Sequence, residues 1–336
     1  MASSRNSASP ERFLGAVEAV LSRHLPADLS VTPYRLIVGM SGGRDSVAAL
    51  FALKELQVRF GYRLDACHIN HGISPHAPEW QRFCERFCDT IGVALKVVAI
   101  DVPRGAPEGL EAAARERRYE IFAELDADWL VLAQHRGDQA ETLLFNLLRG
   151  SSVHGARAMP EIRELRAGLR LLRPLLGLSR LDIEDYLRTR FLSWVEDESN
   201  ADQRFSRNFL RHRIMPELCV RFPAAEERLA TSAERFAEAA ALLDELARVD
   251  LAGSSPRFPV RVDRLAALSE PRARNLLRFL LAQQGVRIPA EARLREFLRQ
   301  LLDARQDRHP SVVFGDWHLF RKRGEVWIEK ILRDEG

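Results

Sequence analysis

The chain has 336 residues, enough for two domains at roughly 100–200 residues each. Hydrophobic residues make up 46% and charged residues 29%, which excludes a disordered, collagenous or coiled-coil chain. The net charge of +3 is only mildly basic, and no apolar run reaches the ~18 residues that a membrane span needs.

Residues 1–10 are Ser-rich and lack the apolar core of a secretory signal, so they read as a frayed tail. With no export signal, a reducing cytoplasm is the expected compartment. A short apolar run at 34–40 ends in Ser41-Gly42-Gly43 and reads as a buried parallel strand entering a tight turn. Apolar residues at helical spacing (Val47, Leu50, Phe51, Leu56) predict a helix over 45–58. Strands are predicted at 64–70, 93–100 and 128–133, with helices at 78–91 and 108–125 and another ending at 149. This alternation implies an α/β domain with a doubly wound parallel sheet, covered by helices on both faces. Ligands on such sheets bind beyond the carboxyl ends of the strands.

Residues 150–169, with Gly, Ser and scattered arginines, read as a long loop. Helices follow at 181–190 and 204–218, then a long Ala-rich amphipathic helix at 226–251 that can connect domains. Two more helices, at 271–284 and 289–302, precede strands at 312–321 and 325–330 around an Arg323-Gly324 hairpin turn. The expected division is a tail and helix at 1–30, a nucleotide-binding domain at 31–221, and a connector helix with a smaller, mainly helical domain at 222–336.

Of the 50 basic residues only Lys54, Lys96, Lys322 and Lys330 are lysines. Arginine suits phosphate contacts, but GC-rich coding gives the same bias, so arginine content alone does not make an RNA-binding protein. Cys67, Cys84, Cys88 and Cys219 form no CxxC pair, which excludes a zinc ribbon or thioredoxin motif. Cys84 and Cys88 share a helix face and read as buried small hydrophobes.

The strongest chemical signal is Ser41-Gly42-Gly43-Arg44-Asp45-Ser46 between a strand and a helix. Glycines let the backbone curl around an anion, and the helix N-terminus presents free N–H groups to it. No Lys follows the second Gly, so this is not a Walker A loop. Asp45 stands where a bare anion site would avoid a carboxylate, and a Mg2+ bridging Asp45 and a triphosphate resolves the conflict.

The segment resembles the PP-loop of the ATP pyrophosphatases, which grip the pyrophosphate of ATP while AMP is transferred. Four further segments narrow the resemblance. They are His68-Ile-Asn-His-Gly72, Glu111 to Tyr119 with Arg115 and Arg118, Gln134 to Thr142 running on to Arg149-Gly150, and Asp197-Glu-Ser-Asn200 with Arg207-Asn208 and Arg211. With Arg173-Pro174-Leu175-Leu176 and Trp194, they make the chain similar to the tRNA(Ile)-lysidine synthetases, closely over about 35–218 and more loosely beyond. Two departures stand out: Gln134 replaces a family His, and Gly137 replaces the first of two acids, leaving Asp138. Longer members carry a further C-terminal domain, which is not expected before Gly336.

The resemblance implies ATP-dependent ligation of L-lysine to C2 of the wobble cytidine in a CAU-anticodon tRNA(Ile). An adenylated intermediate forms first, and lysidine then pairs with A instead of G. The implied ATP site is Ser41, Gly42, Gly43, Arg44, Asp45 and Ser46, with Asp45 as the Mg2+ contact. Asp45, Asp138 and Arg207 are the implied catalytic set. Arg115, Arg118, His135, Glu141, Arg149, Asn208 and Arg211 are candidates for substrate or tRNA contact. Residues 70–72 are expected to shape a loop near the adenine. The loop at 150–168, with Arg149, Arg157, Arg163 and Arg166, is expected to clamp the anticodon loop, and Arg272, Arg274, Arg278, Arg321 and Arg323 to meet the acceptor side. A homodimer stays open, and no membrane partner is expected.

Structural roles compete at each position. Asp138 can cap the helix before Gln139, and Glu141 can complement the helix dipole. Arg204, Arg207 and Arg211 fall on one face of an ideal helix, which can equally be a solvated basic face. His135 can serve structure as well as nucleotide. Two other functions remain: a related PP-loop tRNA-modifying enzyme such as a thiolase, and a non-catalytic nucleotide- or RNA-binding descendant. A thiolase typically needs catalytic or cluster-binding cysteines, and none of the four here has that arrangement.

Overall fold

A computed structural model describes residues 10–25, 33–101, 110–196, 206–286, 288–303 and 310–331. They form two compact units that part between Ala237 and Glu238.

In the first unit, α1 (Pro10–His24) precedes the alternation of strands and helices. β1 (Arg35–Gly39), α2 (Arg44–Phe60), β2 (Arg63–Asn70), α3 (Ala77–Ile91) and β3 (Ala94–Ala99) follow. Then come α4 (Leu110–Ala123), β4 (Trp129–Val131) and α5 (Arg136–Leu148). The six-stranded sheet has the order β3-β2-β1-β4-β6-β5. β1 pairs in parallel with β2 on one side and β4 on the other, so the winding reverses at its carboxyl end.

Leu36 and Val38 of β1 enter one core, and Ile37 enters the opposite one. The first core takes residues from α1, α2 and α3, among them Phe13, Leu50, Cys84 and Cys88; the second takes Ala113 and Phe122 of α4. Apolar side chains on both faces are what a strand covered by helices on both sides requires. Cys84 and Cys88 are buried as expected, and Cys67 is buried too.

The region read as a long loop contains regular structure. It holds a short helix, α6 (Val153–Ala156), and β5 (Ile162–Arg166), and β6 (Leu169–Leu172) follows directly. β6 extends the parallel sheet beside β4, and β5 folds back antiparallel as the edge strand. Charged side chains at Arg163, Glu164 and Arg166 hide β5 from a search for apolar runs, and they suit an edge.

Beyond α7 (Arg180–Thr189), the predicted helix at 204–218 is described from Ser206. It runs as α8 (Ser206–Phe209), a π-helical turn (Leu210–Ile214) and α9 (Met215–Arg221). Arg204 and the Asp197-Glu-Ser-Asn200 element lie outside the described residues. α10 (Ala225–Asp250) contributes Ala233 to a small core with Leu143 and Ala156, and Ala247 to the core of the second unit.

The second unit contains β7 (Val260–Arg261), α11 (Val262–Ala266), α12 (Glu270–Gln283) and α13 (Glu291–Asp303). β8 (Ser311–Phe314), β9 (Trp317–Lys322) and β10 (Glu325–Lys330) complete an antiparallel sheet of order β7-β10-β9-β8. The single strand predicted at 312–321 is two strands, because Gly315 at φ +57° turns the chain. Arg323 and Gly324 both have positive φ and close the expected tight hairpin. Arg272 pairs with Asp250, Arg274 with Glu270 and Glu291, and Arg278 with Glu291, so these three carry structural ion pairs. No described helix is long and apolar enough to cross a membrane.

Candidate active site

β1 delivers the chain into the glycine turn. Gly42 has φ +84°, and a Cβ there would lie 3.1 Å from Cys84 Sγ, so the turn requires glycine on two grounds. Val195 N–H donates to Gly42 O at 2.9 Å, which ties the segment after α7 beneath the loop. Gly43 begins α2 without a side-chain cap, leaving the first N–H groups of that helix for another acceptor. Ser46 Oγ donates to Gly43 O at 2.9 Å and lies 3.1 Å from Ser41 Oγ, so the two serines brace the turn.

The end of β4 leads into α5. His135, not Asp138, is the N-cap: its Nδ1 accepts from Gly137 N–H at 2.9 Å. Asp138 is the third residue of the helix and returns a bond through Oδ2, which accepts from His135 N–H at 2.9 Å. Because Nδ1 accepts from the backbone, the neutral ring carries its proton on Nε2. That nitrogen lies 3.9 Å from Asp45 Oδ2 and 3.8 Å from Asp138 Oδ2. A Cβ at Gly137 would come within 2.7 Å of the His135 ring, which accounts for the glycine at this position. Gln134 accepts from Arg173 Nε at 2.9 Å, and Arg173 Nη1 donates to Pro160 O at 2.7 Å. The two departures from the expected pattern are thus both built into local structure.

One cleft of about 800 Å³ opens at these strand ends. It brings together Ser41, Asp45, Ser46, Arg115, Arg118, Asp138, Glu141, Arg207 and Arg211. The π-helical turn carries Arg211, whose Nε and Nη2 meet both Glu141 oxygens at 2.8–3.1 Å. The same Nη2 donates to Asp138 Oδ1 at 2.6 Å. Burial pushes the Glu141 carboxyl upward, against the pull of Arg211. Burial also works against the Arg211 charge, but Glu141, Asp138 and Asp45 more than offset it and hold that guanidinium ionised. Asn70 and His71 also line the cleft, with Gly72, whose N–H donates to Asn70 Oδ1 at 2.9 Å. Burial, then Arg118 and His68, push His71 down to about 4, so its ring is neutral.

Other expected residues stand apart from the cleft. The Arg44 guanidinium is held by Asp45 at 2.9 Å and Glu184 at 3.0 Å. His135 lies behind Asp45 and Asp138, only 8% exposed. Arg149 lies over the Phe145 ring, and Asn208 is not among the lining residues. Arg166 donates to Ala123 O and Leu125 O, which ties β5 to the end of α4. Sequence reasoning missed Gln139, whose amide both donates to Met159 O and accepts from Met159 N–H at 2.9 Å, fixing a cleft residue. A long polar side chain just after Asp138 was the only signal.

Among the described residues, no group of three or more His, Cys, Asp or Glu is gathered as a metal cage. Asp45 presents a carboxylate at the loop: Oδ1 is held by Arg44, and among the described residues no hydrogen bond reaches Oδ2, with His135 Nε2 3.9 Å away. One carboxylate oxygen, completed by substrate phosphates and water, suits Mg2+.

A family model described as a PP-loop domain matches residues 17–218, and one described as a TilS substrate binding domain matches 261–327. A tRNA(Ile)-lysidine synthase from Nitrosomonas europaea is 45% identical, over 87% of this chain and 64% of that protein. Proteins of the same name from Azoarcus sp. and Aromatoleum aromaticum are 44% and 48% identical, over 88% of this chain and 66% and 69% of theirs. The chain thus spans about two thirds of the length of these relatives. Among solved structures, a U34-tRNA thiolase from Methanococcus maripaludis shares the fold, with a TM-score of 0.54 at 17% identity over 68% of this chain and 80% of that one. By its PP-loop domain and by its identity to these relatives, the chain belongs to the tRNA(Ile)-lysidine synthase family.

Proposed function

We propose that this chain uses ATP to ligate L-lysine to C2 of the wobble cytidine of a CAU-anticodon tRNA(Ile), changing the codon read from AUG to AUA. The observation that carries the reading is one cleft that joins a loop suited to a diphosphate with an acid pair suited to an ammonium.

In the first step the C2 oxygen of cytidine attacks the α-phosphorus of ATP. The bond to the bridging oxygen breaks and pyrophosphate leaves. The uncapped N-terminus of α2 and the Ser41 hydroxyl meet the diphosphate. Arg115, Arg118 and Arg207 supply positive charge along the cleft, where charge develops in the transition state. Asp45 would hold Mg2+, which neutralises phosphate charge when bound.

In the second step the amine of lysine attacks C2, the C2–O bond breaks and AMP leaves. Asp138 and Glu141 hold the ammonium, and Glu141, whose affinity for a proton burial raises, takes the proton that the amine must lose. Arg211 occupies both carboxylates, and the substrate ammonium takes over part of that contact. Residues 261–327, similar to a substrate binding domain, are assigned to tRNA binding.

The test is incubation with ATP, radiolabelled lysine and a CAU-anticodon tRNA. ATP-dependent incorporation that is lost in Asp45→Ala supports the reading. Intact ATP and tRNA binding without incorporation would favour a non-catalytic binding module, and labelled sulfur entering tRNA would favour a thiolase.

A further inference from the structure

Next to the cleft lies a second hollow of about 460 Å³. Arg115, Glu116, Tyr119 and Ala123 of α4 wall one part of it, with Arg163 and Leu165 of β5. Arg115 is common to both hollows. Two guanidiniums lie over one ring here: Arg115 Cζ is 5.1 Å from the Tyr119 centroid, and Arg163 Cζ is 5.0 Å from it. Arg115 Nη2 also donates to the Tyr119 hydroxyl at 3.5 Å.

Charge is unbalanced at this place. Among the described residues, neither Arg115 nor Arg163 forms an ion pair with a carboxylate, and Glu116, the one acid on the wall, is exposed and pairs with neither. Elsewhere in the unit, Arg35, Arg44, Arg136, Arg190 and Arg211 each hold an acid within 3.0 Å. Burial alone would raise the Tyr119 phenol, yet Arg115, Arg173, Arg163 and Arg118 outweigh it and hold that group below its ordinary value. Gathering guanidiniums without an acid is unfavourable until an anion joins them, and the planar fork of arginine matches a phosphate.

We propose that Arg163 and Arg115, held over the Tyr119 ring, form a phosphodiester subsite for the RNA nucleotide that adjoins the one in the cleft. The inference rests on the reading that the cleft takes a splayed single-stranded RNA loop. Tyr119, its ring covered by guanidinium, is a positioning residue. Arg163 stands on the edge strand, paired in register with Leu171 of β6, so its backbone is fixed while its side chain is exposed.

The test compares the full chain with Arg163→Ala and Arg163→Lys. Binding of a hairpin RNA with a CAU loop, and of an oligouridine, is followed by fluorescence anisotropy over a salt series, with ATP affinity measured in parallel. Arg163→Ala should weaken both RNAs about 3- to 10-fold at ~0.1 M salt and flatten the log–log salt slope by about 0.7, the loss of one phosphate contact to a single strand. Arg163→Lys should restore the slope. A structural role would lower ATP and RNA affinity together in Arg163→Ala, and that result would overturn the subsite. An unchanged salt slope in Arg163→Ala would overturn it as well. The oligouridine arm keeps the two readings separate: a parent chain that incorporates no lysine, with Arg163→Ala still flattening the salt slope on oligouridine, contradicts the proposed ligation and leaves the subsite standing.

Discussion

Arg211 grips Glu141 through both carboxylate oxygens, with Nη2 at 2.8 Å from Oε2, and spans on to Asp138. The π-helical turn that carries Arg211 is therefore tied to α5 by a bidentate ion pair. Removing the guanidinium leaves two neighbouring acids facing each other in a partly buried site. Arg211→Ala should lose about 1–3 kcal/mol of stability, below the usual cost of breaking a fully buried pair because the Arg211 side chain is 35% exposed. Urea unfolding measures the loss, and labelled-lysine incorporation should fall at least about 100-fold.

Asp138 has one oxygen on the backbone of His135 and the other on Arg211. Asparagine can keep the first bond but has no charge for an ammonium. Its amide N–H2 would face the Arg211 donors and lose that ion pair, so Asp138→Asn should cost about 1–2 kcal/mol of stability while raising KM for lysine at least about tenfold. Steady-state kinetics in lysine, set beside thermal unfolding, separates the two effects. An unchanged KM would remove Asp138 from the amine site.

Much of this arrangement was legible in the sequence, and what was not has physical reasons. Ser41 to Ser46 announces its turn because only glycine tolerates the Gly42 backbone and a strand precedes it. The edge strand β5 stayed hidden because its exposed charges break the apolar pattern. The sequence offers Asp138 as a possible cap because Asp is a common N-cap and His an uncommon one, yet His135 fills that position and Asp138 answers it from the third residue of the helix. On an ideal helix Arg207 and Arg211 share a face, and nothing local in 210–214 signals the π turn that carries Arg211. The fate of Arg44 depended on Glu184, far away in sequence, which no local pattern reveals.

Gly137 illustrates a departure that the structure explains. Adding a methyl group brings it within 2.7 Å of the His135 ring, which must rotate and give up its bond from Gly137 N–H. Gly137→Ala should cost about 1–2 kcal/mol in urea unfolding. The double variant Gly137→Ala with His135→Ala should lose little more than His135→Ala alone, because the clash and the cap are the same contact.

Acid stability should respond to His71 and His68. Burial, followed by Arg118 and His68, presses His71 to about 4, and burial also lowers His68. In the unfolded chain both titrate near ~6.5. Below ~6.5 the unfolded chain therefore binds more protons than the folded one, so their contribution is complete above ~6.5 and declines as the pH falls, for His71 down to about 4. The urea midpoint should drop from about pH 7 to about pH 5, and His71→Asn should show a shallower drop. An identical slope in the variant would contradict the assignment.

Cys67 lines the cleft, yet burial pushes its thiol up to about 11, which disfavours the thiolate that nucleophilic or cluster chemistry needs. Cys67→Ser should keep lysine incorporation within about threefold of the parent. Loss of activity on that change would point toward sulfur chemistry.

The most direct measurement is pyrophosphate release from ATP by the purified chain, given tRNA transcripts that differ only at the wobble base. Release is expected with a CAU anticodon, none with GAU, and loss of release in Asp45→Ala. Release that ignores the wobble base, or no release with the CAU transcript, would contradict adenylation of a cytidine in this cleft.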